Sequence, residues 1–171
     1  ELGAFVVKGV LERVAKDIVP EEVFFGNVVG ANCGQNVARQ VAIKSGLPFE
    51  TIATTVNKVC ASGLKATTLA AASIKAGDIN VAITGGTESM SNAPYYLPQH
   101  RWGSKYGAHL ESIVDGLHKD GLSNAFDGVS MGFAGDKAGL SEGITRKEVD
   151  EFSIETYKRA KNATLKGLFD K

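Results

Sequence analysis

A strand, a helix and a second strand follow one another between residues 51 and 86, and this order constrains the fold more than any other feature. Thr51–Val56 is rich in β-branched side chains, which predicts a strand. The small-residue run Ala61–Ile74, closed by Gly77, predicts a helix, and Asn80–Thr84 predicts the next strand. Strands joined through a helix are parallel, and the crossover is right-handed. We therefore predict a layered α/β fold with a parallel βαβ unit and a helix buried on nearly every side.

The segments around this unit give weaker predictions. Residues 89–122 hold all three histidines and look like an inserted loop region. The four residues Thr145–Glu148 have the form of a capping box, which predicts the start of a helix. Apolar patterns predict a helix over 2–16, a strand over Val23–Val29, a helix over about 36–44 and a weak helix over 129–140.

Composition excludes several classes of protein. Nineteen basic residues balance nineteen acidic ones, which argues against nucleic acid or an anionic membrane as partner. Cys33 and Cys60 stand in no metal-binding or disulfide spacing, and we interpret both as free thiols in a reducing compartment. His100, His109 and His118 are too widely spaced to pair on one helix, so we predict no metal site.

The ends of the chain predict a truncated protein. The sequence begins at Glu1 without Met, inside an apolar helical pattern, and it stops at Lys171 just beyond another helix. No apolar run reaches the roughly 20 residues that span a bilayer. We expect a cytoplasmic protein, with mitochondrial or peroxisomal location as the alternative if targeting signals lie in missing ends.

Cys60 is the strongest candidate for chemistry. It follows a predicted strand and precedes a predicted helix, so its sulfur would lie near unpaired backbone N–H groups that favour a thiolate and could stabilise an oxyanion. Ala61, Ser62 and Gly63 are small and leave room for a substrate. The alternative is that Cys60 is a buried small hydrophobe. Cys33, in the loop Gly30–Asn36, lacks a helix at its sulfur and is the weaker candidate.

Several segments resemble those of the thiolase family. Val56–Ala66 is similar to the motif of the acyl-enzyme cysteine, Gly34–Gln40 to the segment GQNxARQ, and Gly85–Ser91 to the segment GGxESMS. Asp120–Leu122, together with Met131-Gly132, resembles a further one. In order and spacing these segments cover almost the whole chain.

The resemblance implies a thiolase-type fold with a mixed, mostly parallel sheet and a buried helix. Residues 1–89 would be part of the N-terminal core domain, residues 90–171 a loop domain that helps to hold coenzyme A, and the C-terminal domain would be absent. Cys60 would carry the acyl group as a thioester, and Met131 would lie beside that group. Coenzyme A thioesters would be substrates, with no permanently bound cofactor, and the protein would be a homodimer or homotetramer.

The activity implied is the reversible condensation of two acetyl-CoA molecules to acetoacetyl-CoA and CoA. Degradative cleavage of longer 3-ketoacyl-CoA is an alternative, as is an inactive thiolase-like domain that binds lipid or protein. The Ala61–Leu64 continuation disfavours a decarboxylating condensing enzyme. The family's activating histidine, its Asn and its second cysteine belong to the other half, so we expect this chain alone to be inactive. Ser130 replaces a histidine that is common in bacterial and mitochondrial members.

Two further groups of residues allow more than one interpretation. Arg101, Lys105 and nearby tyrosines could form a basic, aromatic loop that meets a nucleotide phosphate or a neighbouring subunit, or a plain solvated loop. Glu88 follows a buried-looking strand, and we predict that it fixes a loop by hydrogen bonds.

Overall fold

The computed structural model describes residues 1–103, 106 and 113–170. These residues form two compact units, Glu1–Ala125 and Phe126–Lys171, and each is considered by itself. In the first unit the helices and strands alternate along the chain. Their bounds are α1 Leu2–Leu11, β1 Glu22–Gly26, α2 Val37–Lys44, β2 Ile52–Val56, α3 Ser62–Ala76 and β3 Ala82–Gly86.

The three strands form a parallel sheet in the order β2-β1-β3. The predicted parallel arrangement is therefore confirmed. The crossover from β2 through α3 to β3 passes over the central strand β1, which comes earlier in the chain. Local patterns do not specify which strands become neighbours, and the position of β1 is a result of packing between distant segments.

The central strand β1 is buried because helices cover both faces of the sheet. Val23 is 0% exposed, and Phe24 and Phe25 are 6% and 3% exposed. Successive side chains of a strand point to opposite faces. Phe25 packs in one cluster with residues from α1, β1, α2 and the segment after α2: Val7, Val23, Ala38, Val41, Ala42 and Leu47. Phe24 packs with Val56, Ala66, Ala70 and Ile79 in the other. The unit is thus helices, sheet and helix, in three layers.

Helix α3 is buried along one face rather than on nearly every side. Ser62, Ala66 and Ala70 form the buried stripe, with the spacing of one helix face. Leu64 is 70% exposed and Ile74 is 44% exposed, since no described part of this chain covers the opposite face. Gly77 ends the helix in the left-handed conformation, as predicted.

Two predicted elements are shorter than their patterns. Helix α1 ends at Leu11 rather than at residue 16, and β1 ends at Gly26 rather than Val29. The second difference arises because the side chain of Asn27 and the N–H groups of Val28 and Val29 bond to Thr87 or Glu88, which pulls the backbone out of the sheet.

Residues 89–122 contain short elements, where the sequence predicted only a loop region. Strands β4 (Tyr95–Tyr96) and β5 (Val114–Asp115) pair in antiparallel fashion. A single π-helical turn follows at His118–Leu122. Short 3-10 turns occupy Met90–Asn92 and His100–Trp102.

The second unit consists of α4 (Met131–Ser141) and α5 (Arg146–Leu165). The predicted capping box is confirmed, since the Thr145 hydroxyl accepts from the Glu148 N–H and the Glu148 carboxylate accepts from the Thr145 N–H. None of the described helices is long and apolar enough to cross a bilayer.

Candidate active site

Cys60 lies at the carboxyl edge of the sheet, between the end of β2 and the start of α3. Its thiol is exposed and unpaired with another cysteine. Cys60 is therefore not the buried small hydrophobe of the alternative interpretation, and its role in chemistry stays a prediction. Among the described residues, the backbone N–H groups of Cys60 and Gly63 have no backbone acceptor, which leaves them available as donors. Such donors can stabilise negative charge on an attacked carbonyl oxygen.

The turn that carries Cys60 is strained and tightly bonded. Val59 has φ = 49°, a left-handed conformation that is rare for a β-branched residue. The Asn57 side-chain oxygen accepts from the Val59 N–H at 3.0 Å. The Ser62 hydroxyl accepts from the Lys58 N–H at 2.8 Å and donates to the Val59 carbonyl at 2.6 Å. Both ends of the turn are thus fixed by side chains.

The ends of all three parallel strands converge on one cavity of about 390 Å³. Gly26 comes from β1, Cys60 follows β2, and Gly86 with Thr87 and Glu88 follows β3. Ligands bind at this edge of open α/β sheets. Gly26 is required for the close approach of β1 to α3, because a Cβ there would lie 2.9 Å from the Ser62 Cβ and 3.0 Å from the Gly63 nitrogen.

The remaining walls of the cavity are mostly apolar. They are formed by Val28, Val29, Val59, Met90, Leu117 and Leu122. No histidine lines the cavity within the described ranges, and Glu88 is the one carboxylate there. The described site therefore offers an exposed thiol, hydrogen-bond donors and an apolar surface, without a lining histidine that could act as a base.

Glu88 fixes the loop after β1, as predicted. Its carboxylate accepts from the Asn27 side-chain amide at 3.0 Å, from the Val28 N–H at 3.0 Å and from the Val29 N–H at 2.9 Å. Asn27 is 8% exposed and also donates to the Thr87 carbonyl. Because three donors occupy the carboxylate, Glu88 shapes one wall of the cavity.

A hydrogen bond between Tyr96 and Asp120 holds the π-helical turn His118–Leu122, which forms another part of the cavity wall. The Tyr96 hydroxyl donates to the Asp120 carboxylate at 2.5 Å, and this bond raises the pKa of Tyr96. The Asp115 carboxylate accepts from the Leu117 N–H at 2.9 Å. These contacts place Leu117, Gly121 and Leu122 against the cavity.

The other predicted site residues are not brought to this cavity within the first unit. Cys33 is exposed and lines a separate surface pocket near Gln40 and Glu1. Met131 is the first residue of α4 in the second unit, so its place beside an acyl group stays a prediction. Arg101 is exposed in a short 3-10 turn, whereas Lys105 and His109 lie outside the described residues.

Sequence reasoning missed three contributors to the site. Ser62 was noted only for its small size, although a serine two residues after the cysteine is suited to bond the preceding turn. The sequence pattern predicts Asn27 within a strand and Leu117 within a loop region, and neither prediction points to the cavity. Among the described residues, no group of three or more His, Cys, Asp or Glu side chains could hold a metal ion.

Comparison with known proteins agrees with the family motifs. The family model described as "Thiolase, N-terminal domain" matches residues 1–171. This chain belongs to the thiolase family. It is 53% identical over 171 residues to an acetyl-CoA acetyltransferase of Schizosaccharomyces pombe, covering 99% of this chain and 43% of that protein. It is 47% identical over 175 residues to an acetyl-CoA acetyltransferase of Saccharomyces cerevisiae, with the same coverage.

A solved structure extends the comparison to three dimensions. The Acat5 thiolase from Ascaris suum, in complex with coenzyme A, matches with a TM-score of 0.86 and 36% identity. The match covers 99% of this chain and 44% of that one. The thiolase-type α/β fold is therefore established. The chain spans less than half the length of these relatives.

Proposed function

We propose that the protein to which this chain belongs is an acyltransferase of the acetyl-CoA C-acetyltransferase type, with Cys60 as its nucleophile. The exposed Cys60 thiol, at the mouth of an apolar cavity and at the start of a helix, is the observation that carries the proposal. The names of the relatives and the coenzyme A in the Ascaris complex support the choice of acyl donor.

The reaction proceeds in two half-reactions through an acyl-cysteine. The Cys60 thiolate attacks the carbonyl carbon of acetyl-CoA, a sulfur–carbon bond forms, and CoA leaves as a thiolate that takes up a proton. A base then removes a proton from the methyl group of a second acetyl-CoA. The resulting carbanion attacks the acetyl-Cys60 carbonyl, which releases acetoacetyl-CoA and regenerates the Cys60 thiolate. Two acetyl-CoA molecules thus give one acetoacetyl-CoA and one CoA.

The division of labour within the protein is part of this proposal. Residues 1–89 would belong to the N-terminal core domain and residues 90–171 to a loop domain that contacts coenzyme A, with Met131 beside the acyl group. The base and the proton donor would come from the remaining half of the protein, because the described cavity has no free base. The chain alone is therefore expected to be inactive.

The proposed function also concerns the substrates, the partners and the cellular location of the protein. Coenzyme A thioesters serve as substrates, without a metal or a permanently bound cofactor. A homodimer or homotetramer is proposed, with no nucleic acid or membrane partner. A cytoplasmic location is proposed because a relative in Gibberella zeae is named as a cytosolic acetyl-CoA acetyltransferase, and 49% of 172 aligned residues are identical.

A turnover assay of the full-length protein tests the function. Cleavage of acetoacetyl-CoA by free CoA is expected in the wild type and in Cys33→Ser, and loss of about a thousandfold or more is expected in Cys60→Ser because the nucleophile is gone. Longer 3-ketoacyl-CoA substrates are assayed in parallel, and faster turnover of these would favour the degradative alternative. Binding of acyl-CoA without any turnover would favour the inactive domain and overturn the proposal.

A further inference from the structure

We propose that Ser62 is a positioning residue for Cys60, holding the strained turn at Val59 that presents the thiol to the cavity. The inference deepens the proposed function and rests on it for its catalytic meaning. Ser62 itself acts through the backbone of the turn, and its hydroxyl is occupied by backbone groups.

The turn needs an external constraint because its backbone is unfavourable. Val59 adopts φ = 49°, although the branch at its Cβ makes this left-handed region costly. Such conformations persist only where surrounding contacts over-determine them, and they cluster at functional sites. Val59 is 50% exposed, so burial of its side chain supplies only part of the constraint.

The Ser62 hydroxyl forms two hydrogen bonds, one with the backbone of Lys58 and one with the backbone of Val59. One hydroxyl accepts from the N–H of Lys58, before the strained residue, and donates to the carbonyl of Val59 itself. These two bonds hold the backbone that leads into Cys60, together with the bond from the Val59 N–H to Asn57 and the bond from the Ser62 N–H to the Val59 carbonyl. Ser62 is 5% exposed, and both hydrogen bonds are partly shielded from solvent, so their loss weakens the hold on the turn.

Packing holds the hydroxyl in place. Gly26 at the end of β1 approaches Ser62 so closely that any side chain at position 26 would collide with it. Ser62 also begins the buried stripe of α3 that contacts the sheet. We call the Ser62 hydroxyl with its two hydrogen bonds the latch. Packing against the sheet holds the latch in place, and the latch holds the turn.

The alternative is that Ser62 only stabilises the start of α3, and a double-mutant cycle separates the two roles. Glycine adopts positive φ at little cost, so Val59→Gly removes the strain that the latch opposes. If Ser62 holds the turn, the loss caused by Ser62→Ala should be much smaller in the Val59→Gly background. If Ser62 only stabilises the helix, the loss should be equal in both backgrounds.

The experiment measures alkylation of Cys60 by iodoacetamide in the full-length protein, with peptide mapping by mass spectrometry. The rate at Cys33, an exposed thiol outside the cavity, serves as the internal reference. Ser45→Ala is the matched control, because Ser45 is 8% exposed and also donates to a backbone carbonyl. We expect Ser62→Ala to lower the Cys60 to Cys33 ratio about fivefold to tenfold, as for loss of one to two buried hydrogen bonds, and Ser45→Ala to leave it unchanged.

Each remaining outcome decides the proposal. An unchanged ratio in Ser62→Ala, an equal fall in Ser45→Ala, or an equal fall in the Val59→Gly background overturns it. Should Ser62→Ala not fold, the double variant decides: a folded, reactive Ser62→Ala/Val59→Gly protein supports the latch, and an unfolded one overturns it. Alkylation needs no acyl-CoA, so failure of the latch is distinguishable from failure of the acyltransferase function.

Discussion

Three side chains shape the site without taking part in bond making. The Glu88 carboxylate accepts hydrogen bonds from the Asn27 amide and from two backbone N–H groups. The Ser62 hydroxyl forms hydrogen bonds with the backbone of the turn before Cys60. Each acts on backbone that leaves a strand at the same edge of the sheet. Hydrogen bonds from these side chains therefore shape the loops that surround the Cys60 thiol.

Removing the Glu88 carboxylate should destabilise the fold. Glu88→Ala leaves the Asn27 amide and the N–H groups of Val28 and Val29 without their acceptor, and we expect a loss of about 2 kcal/mol in the free energy of unfolding. Urea denaturation measures this loss. Glu151→Ala is the matched control, because Glu151 forms only an exposed pair with Lys147 and should cost less than about 0.5 kcal/mol. Equal midpoints for the two variants would show that the Glu88 network contributes nothing.

At the scale of elements, the π-helical turn His118–Leu122 connects a surface hydrogen bond to the cavity wall. Tyr96 in β4 donates to Asp120 within the turn, while Leu117 and Leu122 face the cavity. A π-helical turn is rare and is frequently found at functional sites. The Tyr96–Asp120 bond thus fixes an element that has little regular structure around it.

Loss of the Tyr96 hydroxyl should loosen this turn. In Tyr96→Phe we expect faster amide exchange at 117–122, whereas Tyr95→Phe, whose side chain is 66% exposed, should leave exchange unchanged.

The pKa of Tyr96 is raised above its ordinary value of 10.0 by the bond to Asp120. The bond therefore stabilises the fold fully below pH 10.0 and is lost as pH rises through the raised pKa. Ultraviolet titration should show a tyrosine with a pKa above 10.0 that is absent in Tyr96→Phe. If the same titration remains in Tyr96→Phe, the assignment to Tyr96 is contradicted.

The capping box of α5 should be lost at low pH, whereas the Tyr96–Asp120 bond is lost at high pH. The Thr145 N–H and hydroxyl donate to Glu148 and hold the pKa of that carboxyl below its ordinary value of 4.5. The cap is therefore complete above pH 4.5 and is lost as pH falls through the lowered pKa. The Thr145 amide proton shift should follow this titration in nuclear magnetic resonance, and Glu148→Gln should abolish it. A midpoint at or above 4.5 would contradict the capping geometry.

Elements with a strong local signal could be predicted from the sequence, and those set by distant contacts could not. β-branched residues and the capping box correctly located β2 and the start of α5, because propensity and capping act over a few residues. The position of β1 between β2 and β3 depends on packing between segments far apart in the chain. Cys60 could be named as a candidate because the residues next to it in the sequence predict a strand before it and a helix after it. The Tyr96–Asp120 bond joins residues that are 24 positions apart and had no local signal.

At the scale of the whole molecule, the proposed function requires an active site divided between this chain and the rest of the protein. The first unit provides an exposed thiol, a cavity and backbone donors, and it ends at Ala125. The chain covers 43% of its relative from Schizosaccharomyces pombe. A thiol without a base attacks slowly near neutral pH, so the proposed activity requires groups from the rest of the protein.

The most direct measurement is the location of an acyl group after the full-length protein meets labelled acetyl-CoA. Rapid quenching, digestion and mass spectrometry should find the label as a thioester on the peptide that contains Cys60. Cys33, the other exposed thiol, should carry none, and Cys60→Ser should remove the label altogether. A label on another residue, or normal turnover by Cys60→Ser, would contradict the assignment of Cys60 as the nucleophile.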